Sequence, residues 1–360
     1  MKHIEKLAAI REAMKIQGID GYIIPSSDPH ISEYLPERYK CIAWASGFTG
    51  SAGTLAITQD FAGLWTDSRY FVQAADQLEG TGFELVKLKV QAAAEYADWL
   101  GEQLPAGAKV AFDGNLASLL VAQSVKDTLE PLDIQVDGHV DLLSPLWEGR
   151  PELPRAQAFL LTEDTTGQST VAKIAAVRAE MKKNRTDAHL ISSLDDLAWL
   201  LNIRGQDVPC NPVVLGFVLI TTETATLYIE PSKLTAEGIA ELKGYGVEVA
   251  AYEDIFKVTS TLQATAILID PKRTCFALYD SVPEQVKIVE KINPSTSLKA
   301  IKNGVEIENN RHTFVKDGVA LTRFFKWLEE NVVSGDLSEL SIAEKLRGFR
   351  ERQDRSEELV

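Results

Sequence analysis

The sequence predicts an α/β protein of two tandem domains, each a mixed sheet flanked by helices, and three observations carry that reading. Helical and strand periodicities alternate from residue 2 to about 140, which gives a sheet covered on both faces. A proline-rich stretch without periodicity follows. Beyond it the first pattern returns, at a spacing too long for a solenoid and suited to a duplicated domain.

The opening "MKHIEKLAAIREAMKIQ" reads as a helix with Ile4, Leu7, Ala8 and Met14 on one face, and "GYIIP" as a short buried strand. "GTLAITQ" and "GLWTD" flank Asp60-Phe61-Ala62 as an antiparallel hairpin, which makes the sheet mixed. Helix 68–79, strand 83–89, helix 92–103, strand 108–112, helix 116–129 and strand 132–137 follow, closing a first domain over 1–143. "SPLWEGRPELP", with three prolines, makes 144–154 an interdomain linker. The second domain, 155–300, follows a helix at 169–184 with "DAHLISSLD", matching the earlier "DGYIIPSSD", and "VLITTETATLY" matches "LAITQDFAGLW". From about residue 301 a long amphipathic helix carries Phe314, Val315, Val319, Phe325, Trp327 and Leu328, and Ser341 with Glu344 are spaced as a capping box for another. Two such helices cannot bury so many large side chains between themselves, so the segment 301–360 reads as part of a larger unit.

Composition narrows the function classes. An apolar share of 45% and a net charge of −15 describe an ordinary acidic protein, which disfavours a nucleic-acid partner. Cys41, Cys210 and Cys275 are few and far apart, so neither a disulfide framework nor a thiolate zinc site is expected. No stretch approaches the roughly 18 apolar residues of a membrane span, and charges interrupt the N-terminal apolar residues, unlike a signal peptide. A cytoplasmic location is the expectation.

No self-contained catalytic motif is present. His3, His30, His139, His189 and His312 are widely spaced, without HExxH or CxxC, and no metal site is expected among them. Asp195 and Asp196 point about 100° apart on a helix, and Asp195 reads as the N-cap of "DLAWLLNI". "GFTGSAGT" at 47–54 lacks the lysine of a phosphate loop and runs into a strand, so its glycines serve a tight turn and close backbone approach. "SSDPH" at 26–30 holds the inventory of a triad without its geometry and reads as a turn capping a helix "ISEYL". "RGQDVPCNPVV" at 204–214 either packs on a neighbouring domain or lines a cleft. "LWTDSRYFVQAADQ" at 64–77 places a polar quartet where a strand hands over to a helix. A cap explains Asp67. It does not explain Arg69, whose place in the second domain is taken by Ser232 in "IEPSKL", so Arg69 is either a local ion-pair partner or a site residue particular to the first domain.

Together "SSDPHISEYLPERYKCIAWASGFTGSAGTLAIT", "LWTDSRYFVQAADQL", "DDLAWLLNIRGQDVPCNPV" and "IKNGVEIENNRHTFVKDGVALTRFFKWLEE" resemble the long, three-domain form of aminopeptidase P, the Xaa-Pro aminopeptidase family. The resemblance implies two creatinase/prolidase-type N-terminal domains followed by a pita-bread catalytic domain, of which 301–360 would be the opening helices. It implies a dinuclear centre, usually two Mn(II), held by aspartates, a histidine and glutamates, and removal of the residue that precedes proline. Likeness to the catalytic domain begins near Lys302, and the metal motifs would lie beyond Val360, so no ligand is carried over and the chain is expected to be truncated, to bind no metal and to be inactive alone. It would supply homodimerisation, docking of the catalytic domain and pocket closure. The resemblance places Arg69 at the partner subunit's substrate pocket, its loop supported by Trp65, Asp67 and Tyr70, with Ser68 standing where many relatives have glycine. The alternative is a non-catalytic peptide-binding module whose acidic surface takes basic peptides, since a related N-terminal domain occurs in a histone chaperone.

Overall fold

The computed structural model describes residues 1–90 and 94–353; the start of the helix expected over 92–103 and the end of segment 301–360 lie outside the described residues. The first sheet comprises β1 (Gly21–Pro25), β2 (Thr54–Thr58), β3 (Ala62–Thr66), β4 (Glu84–Lys87), β5 (Lys109–Phe112) and β6 (Gln135–Asp137), in the spatial order β4-β3-β2-β1-β5-β6. The second comprises β7 (Ala188–Ile191), β8 (Gly216–Thr221), β9 (Ala225–Ile229), β10 (Val247–Ala250), β11 (Ala266–Ile269) and β12 (Lys287–Glu290), in the order β10-β9-β8-β7-β11-β12. Each sheet has two adjacent antiparallel pairings beside parallel neighbours: β2 pairs antiparallel with β1, Tyr22 opposite Ile57, and with its hairpin partner β3, and β8 pairs antiparallel with β7, Leu190 opposite Leu219, and with its hairpin partner β9.

The likeness reaches single side chains. Asp20, just before β1, accepts the Lys109 amide at 2.8 Å, and Asp187, just before β7, accepts the Ala266 amide at 2.8 Å. Each carboxylate thereby satisfies the first free donor of the neighbouring parallel strand.

Where the two halves meet, the chain pairs with its own repeat. Leu119 N donates to Thr274 O at 3.1 Å and Phe276 N to Ala117 O at 2.8 Å, around an antiparallel bridge of Ser118 with Cys275. Ser118 and Cys275 each lie nine residues beyond the first residue of their strand, Lys109 and Ala266, so equivalent segments pair about a local twofold. Phe276 fills a slot that only glycines leave open: a Cβ on Gly138 would stand 2.5 Å from its ring, and one on Gly114 would stand 2.4 Å from the Gly138 carbonyl oxygen. Buried His30 spans the same junction. Its Nδ1–H donates to Ser192 O at 2.9 Å, so Nε2 is the acceptor, 2.8 Å from the Tyr252 hydroxyl. One hydrophobic cluster runs across this boundary from Leu7 and Tyr22 to Leu190, Phe217 and Leu278.

Several local expectations are corrected. The first helix, His3–Ile16, buries Leu7, Ile10 and Met14, at i, i+3 and i+7, while Ile4 and Ala8 face solvent. "ISEYL" is not a helix: the Asp28 carboxylate takes the amides of His30 and Ser32, Ile31 has φ +54°, and Leu35 precedes a proline, which disfavours helical backbone. The helix Leu194–Leu200 has its N-cap at Ser193, two residues earlier than Asp195. Asp196 turns inward, accepting from Ser193 Oγ at 2.5 Å and Thr296 Oγ1 at 2.8 Å, because the helix Pro294–Ala300 packs on that face, whereas Asp195 stays at the rim with Lys299. The last helix, Glu339–Arg350, is capped by Ser338 with Ser341, leaving Glu344 to pair with Arg347. The long helix Gly304–Asn331 keeps Phe314 75% and Phe325 60% exposed. Residues 144–154 are pinned to the first domain: Arg150 Nε donates to Arg38 O at 3.0 Å, Arg38 Nη1 to Pro151 O at 2.9 Å, and Trp147 stacks on Trp44.

Two stability outcomes are expected. Gly114→Ala lowers stability by about 1–3 kcal/mol, because backbone on the far side cannot retreat. Gly244→Ala, at a helix end with nothing near its Cβ, raises stability by about 0.4–1 kcal/mol. Thermal unfolding of the two variants measures both.

Acid sensitivity follows from burial. Desolvation holds His30 at about 3 and His189 at about 4, against 6.5 for a free histidine. The unfolded chain therefore binds protons there that the folded chain refuses, and stability is lost as pH falls below about 6.5. Burial raises Asp28 to about 6, so the folded chain takes up that proton first and stability is gained between about 6 and 3.8, partly offsetting the histidines. Tm is expected to fall from pH 7 to pH 4.5, more steeply in Asp28→Asn and less steeply in His30→Gln.

Candidate functional site

β3 ends at Thr66, whose hydroxyl donates to Ala52 O at 2.6 Å, and the chain enters a single 3-10 turn, Ser68–Tyr70, leading to the helix Phe71–Gln77. The Asp67 carboxylate accepts from the Arg69 amide at 3.1 Å and from Nε and Nη2 of the same residue at 2.9 and 2.8 Å. One acid thus caps the turn and holds the guanidinium in a two-point fork. The Arg69 hydrogen bonds hold the Asp67 carboxyl below its usual range, and Asp67 raises the arginine further. The arginine side chain remains 55% exposed, and its Nη1 has no hydrogen-bond partner among the described residues.

Tyr70 anchors the turn. The Arg69 guanidinium lies 5.2 Å from its ring centroid, Phe48 meets it edge-on at 5.7 Å, and its hydroxyl is 2.8 Å from Ser51 Oγ. Glycine at position 50 is required for this packing, since a Cβ there would stand 2.2 Å from Phe48 and 2.8 Å from Tyr70. The glycines of 47–54 serve the close approach that their spacing suggested. Trp65 is buried on the other side of β3 with Phe61 and Trp99.

Arg69 stands between two hollows. The smaller, about 420 Å³, is walled by Trp65, Thr66, Asp67, Tyr96 and Leu120. The larger, about 760 Å³, is walled by Glu33 and Tyr34, by Trp44 on the helix Cys41–Ser46, by Phe48 to Ser51, by Trp147 and Pro151 of the connecting segment, and by Pro209 of the second domain. Of the two readings left open for the loop 204–214, the structure supports the cleft, and the rest of the loop is anchored within its own domain. Pro209 faces the cleft, while Asp207 is buried, pairing with Lys233 Nζ at 2.5 Å and accepting the Leu215 amide at 2.6 Å. Tyr34, Trp44 and Trp147 were invisible to motif reasoning, because they lie in three unrelated segments with no catalytic spacing.

The second domain shows what the same turn becomes without arginine. Glu230 caps it through the Ser232 amide, and Lys233, at the position of Tyr70, is buried against Asp207.

The remaining candidates are dispersed. His3 Nδ1 lies 3.1 Å from Ala45 O, His139 pairs with Asp280 at 3.0 Å, His189 Nδ1 donates to Leu268 O at 2.9 Å, and His312 is exposed on the long helix. The cysteines are free. Among the described residues no group of three or more His, Cys, Asp or Glu side chains can hold a metal ion. The described residues do not fit the dinuclear centre that the resemblance implies, and no step through such a centre is assigned to them.

Two mixed six-stranded sheets of one topology, joined in series, define a tandem pair of creatinase/prolidase-type N-terminal domains, and the models described as "Creatinase/Prolidase N-terminal domain" match residues 6–141 and 149–306. The chain belongs to the creatinase/prolidase N-terminal domain family, and along nearly its whole length it is similar to Xaa-Pro aminopeptidases. It is 38% identical to Xaa-Pro aminopeptidase 1 of Dictyostelium discoideum, covering 98% of this chain and 57% of that protein. It is 35% identical to a probable Xaa-Pro aminopeptidase P of Sordaria macrospora, covering 97% and 59%. Among solved structures, X-prolyl aminopeptidase of Caenorhabditis elegans, described as a cytosolic enzyme with a di-nuclear active site, superposes with a TM-score of 0.89 at 28% identity, over 99% of this chain and 60% of that one. The chain thus spans somewhat more than half the length of these relatives. No helix among the described residues is long and apolar enough to cross a membrane.

The turn makes a discriminating prediction. Tyr70→Phe is expected to cost about 0.5–1.5 kcal/mol through the lost Ser51 hydrogen bond, while Arg69→Ala leaves the melting temperature unchanged; thermal melts compare them directly.

Proposed function

We propose that residues 1–360 are the non-catalytic portion of a metal-dependent Xaa-Pro aminopeptidase, a cytoplasmic, homodimeric hydrolase that removes the residue preceding proline. The observation that carries this reading is the match along 98% of this chain to only 57% of the Dictyostelium relative. The scattered donors support a role without chemistry of its own, and the apolar residues left exposed on Gly304–Asn331 support docking of a further domain. The two divalent ions, manganese by family resemblance, would be held by residues outside this chain. Arg69, exposed and with Nη1 uncommitted, closes the partner subunit's pocket in this reading, on a loop held by Asp67 and Tyr70 and backed by Trp65.

The test is hydrolysis of an Xaa-Pro-Pro tripeptide with manganese, comparing this chain with one extended to the length of its relatives. Turnover is expected only in the extended chain; equal turnover by both would place a catalytic centre within residues 1–360. In the extended enzyme, Arg69→Ala is expected to lower kcat/KM at unchanged Tm, and an unchanged kcat/KM would remove Arg69 from the pocket.

A further inference from the structure

We propose that a hollow beside the first residues of β7 and β11 binds a dianionic phosphate group, free or carried by a small ester. Its volume is about 520 Å³, within the range of ligand sites. Arg178, Met181, Lys182 and Arg185 line it from the end of the helix Thr170–Lys183, opposite Thr222 and Thr265.

The repeat separates what is structural here from what is not. Residues 11–20, "REAMKIQGID", align without a gap with 178–187, "RAEMKKNRTD", so that Arg11, Met14, Lys15, Gly18 and Asp20 correspond to Arg178, Met181, Lys182, Arg185 and Asp187. Both arginines anchor their helix to the sheet in the same way, Nε donating to Thr58 O and to Thr221 O, each at 2.9 Å. The charge differs. The corresponding hollow of the first domain, lined by Arg11 and Lys15, includes Glu12 and has no third cation.

Arg185 is the informative departure. Its φ is +57°, where Gly18 has +63°, a left-handed backbone that glycine adopts freely and an L side chain rarely does. The helix C-terminus, which favours cations, already has Lys182 and Lys183 in its last turn. The Arg185 side chain is exposed and makes no hydrogen bond or ion pair among the described residues. No contact within the fold therefore offsets the backbone energy of an arginine at this position.

The convergence of cations selects the ligand. Arg178 and Lys182 lie one turn apart on one helix face, and the Nη groups of Arg178 have no partner among the described residues. The one carboxylate lining the hollow is Asp187, whose oxygens already accept the Thr265 and Ala266 amides at 2.9 and 2.8 Å. Three cations against one carboxylate leave an excess of two, which matches a dianion, and guanidinium forks suit its oxygens. On a chain of net charge −15, the surrounding field repels anions everywhere that such a local excess does not overcome it.

This inference is independent of the peptidase reading and is tested without hydrolysis. The 360-residue chain is titrated calorimetrically with inorganic phosphate, with glycerol phosphate and with sodium chloride of matched ionic strength, at about pH 8, where the phosphates are dianions. Saturable binding of phosphate with a Kd on the order of 1 mM, and no saturable binding of chloride, is expected. Tighter binding of glycerol phosphate assigns the site to an ester, and tighter binding of phosphate assigns it to the free ion. Arg185→Gly installs the residue of the first copy on a backbone that suits it, so Tm is expected to be unchanged or raised while phosphate affinity falls about tenfold. Lys182→Gln is expected to weaken binding about threefold to tenfold, and the matching Lys15→Gln to leave it unchanged. Equal responses to phosphate and chloride, parental affinity in Arg185→Gly, or equal losses in Lys182→Gln and Lys15→Gln would each overturn the proposal.

Discussion

The antiparallel pairing of Ser118 with Cys275 is the contact on which the arrangement of this molecule rests. Main-chain hydrogen bonds on either side of it fix orientation as well as distance, and both partners are N-caps, of the helices Leu119–Leu129 and Phe276–Asp280. Phe276 in its glycine slot and His30 between Ser192 and Tyr252 then lock the same interface from within. The buried junction explains why one hydrophobic cluster passes through both halves where two domains on a flexible tether would each close their own core.

That fixed geometry creates the large cleft. Its walls come from the first domain, from the connecting segment through Trp147 and from the second domain through Pro209, so it exists only while the halves hold their positions. The connecting segment, by its prolines an ordinary linker, is bound down by reciprocal Arg38 and Arg150 hydrogen bonds to backbone carbonyls and by indole stacking. A mobile linker would leave the cleft open on one side.

Duplication followed by divergence is legible at a single turn. Both copies leave the hairpin through an acidic cap, Asp67 or Glu230. In the first, a neutral hydroxyl pair of Tyr70 and Ser51 supports an exposed arginine at the mouth of a cleft. In the second, the equivalent of Tyr70 is Lys233, and a buried ion pair with Asp207 fills the space. Removing either partner of such a pair would leave an uncompensated charge in the low-dielectric interior. The second copy serves as structure at the position where the first presents Arg69.

Local periodicity was sufficient for the strands of the first sheet, for β7 to β9 of the second through the recurring segments, and for the polar turn after β3, because these depend on spacing of two or about 3.6 residues along the chain, whereas β10 to β12 were not read from the sequence. Family resemblance, carried by motifs in order, gave the class of protein that the comparisons then showed. Two expectations failed for different reasons: the N-cap expected at Asp195 falls at Ser193, with Asp196 held by Thr296 of the distant helix Pro294–Ala300, whereas Asp28 drew the neighbouring amides of His30 and Ser32 into a turn where "ISEYL" had suggested a helix. The Ser118–Cys275 pairing and the meeting of Tyr34, Trp44, Trp147 and Pro209 around one cleft were decided by tertiary structure alone. Burial and side-chain convergence are set by which surfaces face each other across long stretches of chain, and no local period encodes that.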